Sequence, residues 1–435
     1  MIIAADWLVT GGQRLPFRRG AVRVVNGLIE EVGSARDLIE RFPDDDVEDV
    51  GACAVLPGFV NSHVHLYGTL AHGIVLASPP TGFGSFLDDY WWPLVEDRLD
   101  QRMIAAASEW VSAEMALSGT TTFFDICEAP HALSGVLDVE AEASKPIGLR
   151  SIFSFEATER AGVEIAQMSL EENARFIDEH HNDPLVSGMM SWHTVFTCSP
   201  QFISQAWGLA QERGVMSHAH CNEGVTEGQW SQKTYGMGTI EFYESLGVAS
   251  SHFLASQCVQ LTERDIAGIS QHDIHVSHMP LSNCEVGGGI APIPELLARG
   301  ATVGLGSDGY VNDMFHVMRG AFWMNKARLL DPSVLPAHDV LAMASEGGAK
   351  ALGLTNVGRL EPGFVADLQV VELDLPTPIE SETLADQLVL WRDGRHVRHV
   401  MVNGEWRVRD HQIPGVDVER ARIRVIEEAR RLWAN

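Results

Sequence analysis

Between about residues 57 and 360, eight short apolar runs alternate with amphipathic helical patterns. That alternation predicts an α/β fold, a (β/α)8 TIM-type barrel. Strand-like runs also crowd both ends of the chain, which adds a small β-sandwich domain formed by both termini. Polar residues able to do chemistry fall where the central runs stop, as they do at the carboxyl ends of barrel strands. The expected organisation is residues 1–56 as the first part of the β-domain and 57–360 as the barrel. Residues 361–435 then form the second part of the β-domain plus a closing helix.

In order, residues 2–9, 21–25 and 28–32 read as strands, with Asn26-Gly27 supplying hairpin chemistry between the last two. The barrel strands are expected at 58–63, 120–125, 148–155, 186–192, 215–220, 251–255, 274–277 and 302–306. Residues 364–372 and 396–402 are strand-like, and Asn403-Gly404 turns the chain into 405–408. Over 416–433, the spacing of Val418, Ala421, Ile423, Val425, Ile426, Ala429 and Leu432 suits an amphipathic closing helix.

Composition narrows the function. The 435 residues carry a formal charge of -28, and Lys145, Lys233, Lys326 and Lys350 are the only lysines, which argues against nucleic acid as a partner. The six cysteines are scattered without C-x-x-C spacing, so reduced thiols are expected rather than disulfides or a thiolate metal site. No run of apolar residues is long enough to span a membrane, and Met1 to Asp6 lacks the basic flank and apolar core of a signal peptide. The expectation is a cytoplasmic protein with no membrane partner.

His63 and His65 stand at the end of the first barrel run. Side chains on a strand repeat every second residue, so the two imidazoles share one face and make half of a metal site. His218, His220 and Glu223 follow the fifth run, and Asp308 follows the eighth. Three histidines and an aspartate, with a free carboxylate nearby, suit one divalent Zn or Fe that keeps a position for water. The spacing alone leaves open whether His218 or His220 is the third histidine.

The ordered motifs PGFVNSHVHLYG, HAHCNEG, LTERDIAGI, SHMPLSN, GGGIAPIPELLARGATVGLGSDG, GGAKALGL and EPGFVADL make the chain resemble the amidohydrolase superfamily. More narrowly, it is similar to the branch of S-adenosylhomocysteine, guanine and cytosine deaminases and triazine hydrolases. GSDGYVNDMF and the Trp91-Trp92 segment look most like the SsnA-type aminohydrolases. The resemblance implies His63, His65, His220 and Asp308 as metal ligands, with His220 preferred over His218 because His220 and Glu223 meet the family's His-x-x-Glu spacing. It implies Glu223 as the proton carrier to a ring nitrogen and Asp308 as acceptor of the water's proton. It also implies substrate contact at His193 and Glu96, and the aromatic loop after the first strand offers Trp92 for stacking on a planar ring. One metal is expected, because the fourth run has no lysine to bridge a second.

The chain departs from the pattern at Gln257, where the related deaminases have a histidine. An amide can orient a neighbour but cannot titrate near neutral pH, so Gln257 is assigned an orienting role. The function implied is a hydrolytic deaminase releasing ammonia from an amino-substituted purine, pyrimidine, pterin or triazine-like ring. The alternatives are a relative that expels chloride or opens a cyclic amide, and a metal-binding pseudoenzyme, motivated by Gln257. The partners are a small heterocyclic substrate and water, and the resemblance is compatible with a homo-oligomer.

Overall fold

A computed structural model describes residues 1–12 and 14–434. The first strands are β1 (Ile2–Leu8), β2 (Phe17–Val25), β3 (Leu28–Ser34), β4 (Val47–Asp49) and β5 (Cys53–Pro57). The barrel follows with β6 (Phe59–Val64), β7 (Thr120–Cys127), β8 (Arg150–Ala157), β9 (Val186–Gly188), β10 (Met190–Trp192), β11 (Ser217–Cys221), β12 (Phe253–Gln257), β13 (His275–His278) and β14 (Val303–Leu305). The chain returns to the first sheet with β15 (Leu368–Glu372), β16 (Val397–Val402) and β17 (Glu405–Val408).

The barrel strands pair in parallel in the order β10-β11-β12-β13-β14-β6-β7-β8-β9, and β10 also pairs with β8, which closes the ring. β9 and β10 are one barrel strand interrupted at Met189, which leaves the inter-strand ladder while remaining buried. Strand, helix and parallel closure are the (β/α)8 architecture expected of the middle of the chain. Ala349, Ala351, Leu352 and Val357 pack with Val60, Phe124, Ile152 and Leu254 in one apolar cluster beneath the strands.

The terminal strands form one hydrogen-bonded sheet in the order β17-β16-β15-β5-β1-β2-β3, with β4 paired to β1. Its core mixes both ends of the chain, with Ile3, Val22 and Val55 packed against Leu368, Val370 and Met401. Both Asn-Gly turns have positive φ at both residues (Asn26 51° and Gly27 80°, Asn403 54° and Gly404 76°), as a two-residue type I′ hairpin requires. The turns also touch, since a Cβ on Gly404 would lie 2.5 Å from the Cα of Gly27. Glycine therefore serves here both for the turn and for the approach of the two termini.

Two local features differ from expectation. Strand β15 starts at Leu368 rather than 364, because Phe364 and Val365 bond back to Glu361 and Asn356 in a turn. The helix Ala35–Arg41, capped by Ser34, and the strands β4 and β5 were not anticipated. The closing helix Val418–Ala434 packs against the barrel helix Gln101–Leu117, with Arg102 to Glu428 and Arg431 to Asp100 ion pairs across the seam. No helix among the described residues is long and apolar enough to cross a membrane.

Candidate active site

The strand alternation of β6 brings the His63 and His65 Nε2 atoms to 3.3 Å from each other at the carboxyl end of the barrel. The other ring nitrogens are already occupied. His65 Nδ1 lies 2.6 Å from the Ile126 carbonyl, which requires an N–H there and leaves Nε2 with its lone pair. His63 Nδ1 meets the Ser256 hydroxyl at 2.8 Å. His220, on β11, completes a group of three imidazoles whose nitrogens lie within 4.8 Å of one another.

Asp308 follows β14. The backbone N–H groups of Ser307 and Asp308 both donate to the His63 carbonyl at 3.0 Å, so the loop is pinned to the strand that carries the first histidine. Asp308 has φ 60°, an uncommon conformation for a non-glycine residue. Its Oδ1 lies 3.9 Å from His65 Nε2 and accepts from the Gly309 N–H at 2.6 Å. The two Nε2 atoms stand 3.3 Å apart, close enough for one cation to be shared by both rings. Three histidine nitrogens with one carboxylate oxygen form a donor set suited to divalent Zn or Fe. The residues present therefore fit a divalent metal.

His218 points elsewhere. Its Nδ1 and Nε2 lie 2.7 Å from the hydroxyls of Ser191 and Ser256, so both nitrogens are engaged beneath the three-histidine group. Ser256 thereby links His218 to His63.

Gln257 ends β12 at φ 73° with its side chain buried. Its Nε2 donates to Asp308 Oδ2 at 2.8 Å, and its Oε1 accepts from the Asn283 amide. The amide is thus tied on both sides, one of its two N–H groups to Asp308 and its oxygen to Asn283. Burial pushes the Asp308 carboxyl up, but the His65 and His63 rings and the Gln257 amide outweigh it and hold it at about 2. Glu223, buried just beyond β11, behaves in the opposite way. Burial first, and then the neighbouring Asp308 charge, push its carboxyl well above the usual range, toward the protonated form.

Behind His220 stands Glu156, at the end of β8, with Oε1 2.6 Å from His220 Nδ1. The contact is close but not aligned for a straight hydrogen bond. Burial works against a charged ring, yet Glu156 outweighs it and raises His220 to about 9. A carboxylate behind a histidine fixes the ring and raises the basicity of its far nitrogen.

His193 follows β10 with Nδ1 2.8 Å from the Thr197 hydroxyl, and burial pulls it down to about 3, so it is neutral. Trp92 meets its ring edge to face, with centroids 5.9 Å apart. Glu96 reaches the same space, but both of its oxygens are held, one by the Tyr67 hydroxyl at 2.8 Å and the other by Arg160 at 3.0 Å. Arg160 also bonds Glu128 and Asp97 and lies over the Trp92 ring. Burial raises the Glu96 carboxyl to about 7, against the pull of Arg160.

His65, His193, His220, Glu223, Gln257 and Asp308 all line one small chamber of about 40 Å³, along with Trp92 and Glu96. Phe86, Trp91, Val286 and Tyr310 line both this chamber and an outer cavity of about 760 Å³. All the expected site residues meet here except His63, which lies one layer deeper. Sequence reasoning missed Glu156, Ser256, Asn283 and Arg160. Two of these carried a signal: Glu156 directly follows the third apolar run, and Asn283 closes the SHMPLSN motif.

The amidohydrolase family model matches residues 54–407. A 5-methylthioadenosine/S-adenosylhomocysteine deaminase of Syntrophobacter fumaroxidans is 32% identical over 438 residues, covering 97% of each chain. A 5'-deoxyadenosine deaminase of Methanothermobacter thermautotrophicus is 31% identical, covering 93% of this chain and 94% of the relative. Among solved structures, an adenosine deaminase from Xanthomonas campestris with bound zinc superposes with a TM-score of 0.90 at 25% identity, covering 100% of this chain and 98% of the other.

Proposed function

Because the chain belongs to the amidohydrolase family, we propose that it is a hydrolytic deaminase of an amino-substituted nitrogen heterocycle, with adenosine derivatives the ring class favoured by its relatives. The observation that carries the reading is one chamber lined by Asp308 and Glu223 beside converging histidine nitrogens, with surroundings that push the Asp308 carboxyl down and the Glu223 carboxyl up. Two carboxyl groups pushed to opposite protonation states are the signature of an acid and a base with separate tasks.

His63, His65, His220 and Asp308 would hold one divalent Zn or Fe. When bound, such an ion supplies Lewis acidity that brings the pKa of water to about 7. Glu223 donates its proton to a ring nitrogen, which makes the adjacent sp2 carbon electrophilic. Asp308 takes a proton from the attacking water and returns it to the departing amine. A C–O bond forms, the exocyclic C–N bond breaks, and the proton left on the new hydroxyl returns to Glu223, so ammonia leaves with the ring carbonyl as product and both carboxyl groups are restored. Gln257 keeps Asp308 aimed through its 2.8 Å hydrogen bond, and Trp92 and Phe86 limit water in the chamber. Glu156 stiffens His220.

The test is ammonia release by metal-replete protein across amino-substituted purines, pyrimidines, pterins and triazines, before and after chelation and after restoration with Zn or Fe. Release that is lost on chelation and regained with one of the two metals supports the reading. A second reading, expulsion of another group, is favoured by Gln257, whose fixed amide cannot relay a proton to an amine. Chloride release from chloro-substituted rings, without ammonia from their amino counterparts, would select it.

A further inference from the structure

The outer cavity differs from the inner chamber in composition as well as size. Phe86, Tyr90, Trp91 and Tyr310 give it aromatic walls, with Phe86 stacked on Trp91 at 5.5 Å and Tyr90 edge-on to Trp91 at 5.8 Å. Its ionisable groups other than those phenols are His72, whose Nε2–H donates to the Gly309 carbonyl at 2.6 Å, and Glu285, exposed at the rim. Among the described residues, no Lys or Arg lines either cavity. Arg160 stands behind Trp92, with its guanidinium taken by Glu96, Glu128 and Asp97.

At about 40 Å³ the inner chamber has no room for a ring substituent, whereas the outer cavity of about 760 Å³, which shares Phe86, Trp91, Val286 and Tyr310 with it, does. Resting on the deaminase reading above, we infer that the outer cavity seats the substituent of the substrate ring and selects uncharged or cationic substituents against anionic ones. A phosphate or carboxylate entering it gives up hydration without gaining a cationic partner, and meets Glu285 at the rim. An apolar group packs on the aromatic walls, and an ammonium finds both Glu285 and ring faces. The field of Glu285 reaches inward, since after burial it is the other influence that raises the Tyr90 hydroxyl to about 12. S-adenosylhomocysteine carries both an ammonium and a carboxylate, so this chain should separate it from methylthioadenosine, although one relative is named for both.

The experiment compares adenosines that share the ring and differ at the 5′ position: methylthio, amino, homocysteinyl and phosphate. Each is assayed for ammonia release and also titrated calorimetrically into metal-loaded Glu223→Gln protein, which reads the ranking without turnover. The methylthio and amino compounds should exceed the phosphate by at least about 100-fold in kcat/KM and in affinity, with the homocysteinyl compound at least about 10-fold below the methylthio. Glu285→Arg should raise the phosphate-to-methylthio ratio in kcat/KM by about 10-fold. Phosphate turned over or bound within 3-fold (roughly 0.7 kcal/mol) of methylthio overturns the inference and leaves the deaminase reading standing. Binding in the expected order without ammonia release overturns the deaminase reading and leaves the charge selection standing. Failure of every compound to bind overturns the assignment of the outer cavity.

Discussion

Replacing Gln257 by Met removes one amide while keeping most of the side chain's length and volume. The wild-type amide donates to Asp308 Oδ2 at 2.8 Å in a fully enclosed setting, and a hydrogen bond to a charged group is worth about 1.5–3 kcal/mol. Asn283 would lose its acceptor as well. Asp308 Oδ1 keeps the Gly309 N–H, so the carboxylate stays in the site but loses its second restraint. The loss, converted at about 1.4 kcal/mol per decade, corresponds to a kcat roughly 10- to 100-fold lower with the metal still bound. Gln257→His restores an N–H donor to Asp308, and should keep kcat within about 10-fold of wild type while adding an ionisation near pH 6.5 to the rate profile. The assay is the pH profile of kcat for both variants, with metal content measured on the same samples. Wild-type kcat in Gln257→Met, or metal loss comparable to that of Asp308→Asn, would refute the positioning role.

Glu156→Gln removes the carboxylate behind His220 and should weaken metal affinity about 10- to 100-fold, read by competition with a chelator; unchanged affinity would mean that Glu156 serves the substrate instead. Arg160→Met leaves Glu96 and Glu128 buried without their cation and should cost about 3–5 kcal/mol in urea unfolding at pH 8, whereas an unchanged unfolding midpoint would mean that the cluster is not structural. Asp125 and Glu140 form a buried carboxyl pair beneath the loop that follows His65, and Asp125 accepts from the Leu66 N–H at 2.7 Å. Burial raises Asp125 to about 7 and, with the charge of Asp125, raises Glu140 well above its usual range. The folded state therefore holds protons that the unfolded chain has released, so this pair's contribution to stability falls as pH rises from about 4 to 7, by up to about 1.4 kcal/mol per unit per group. Glu140→Gln should flatten that fall between pH 5 and 8 in chemical denaturation, and an identical pH slope in the two proteins would count against it.

The barrel was legible because parallel strands buried on both faces read as short apolar runs, and the run ends exposed His63, His65, His220, Glu223 and Asp308 without any structure. What the pattern lacked was everything that depends on closure. Gln257 could be given an orienting role from its chemistry, but its target, Asp308 Oδ2, and its support, Asn283, come from other strand ends 51 and 26 residues away in sequence. Glu156 reaches His220 only because β8 and β11 approach through the broken β9 and β10 strand. The choice between His218 and His220 rests on two serines, Ser191 and Ser256, which no spacing rule singles out. Glu96 illustrates the reverse case: its position could be read from the sequence, but Tyr67 and Arg160, which occupy its oxygens, could not. Short strands such as β4 escaped notice because three residues carry too little periodicity.

The most direct test of the central assignment measures metal content and ammonia release together on wild type, Glu223→Gln and Asp308→Asn. The account predicts about one Zn or Fe per chain in wild type and in Glu223→Gln, with ammonia released by wild type alone, and loss of both metal and activity in Asp308→Asn. Full activity in Glu223→Gln, or loss of its metal, would contradict the division of labour between a proton-carrying Glu223 and a metal-holding Asp308.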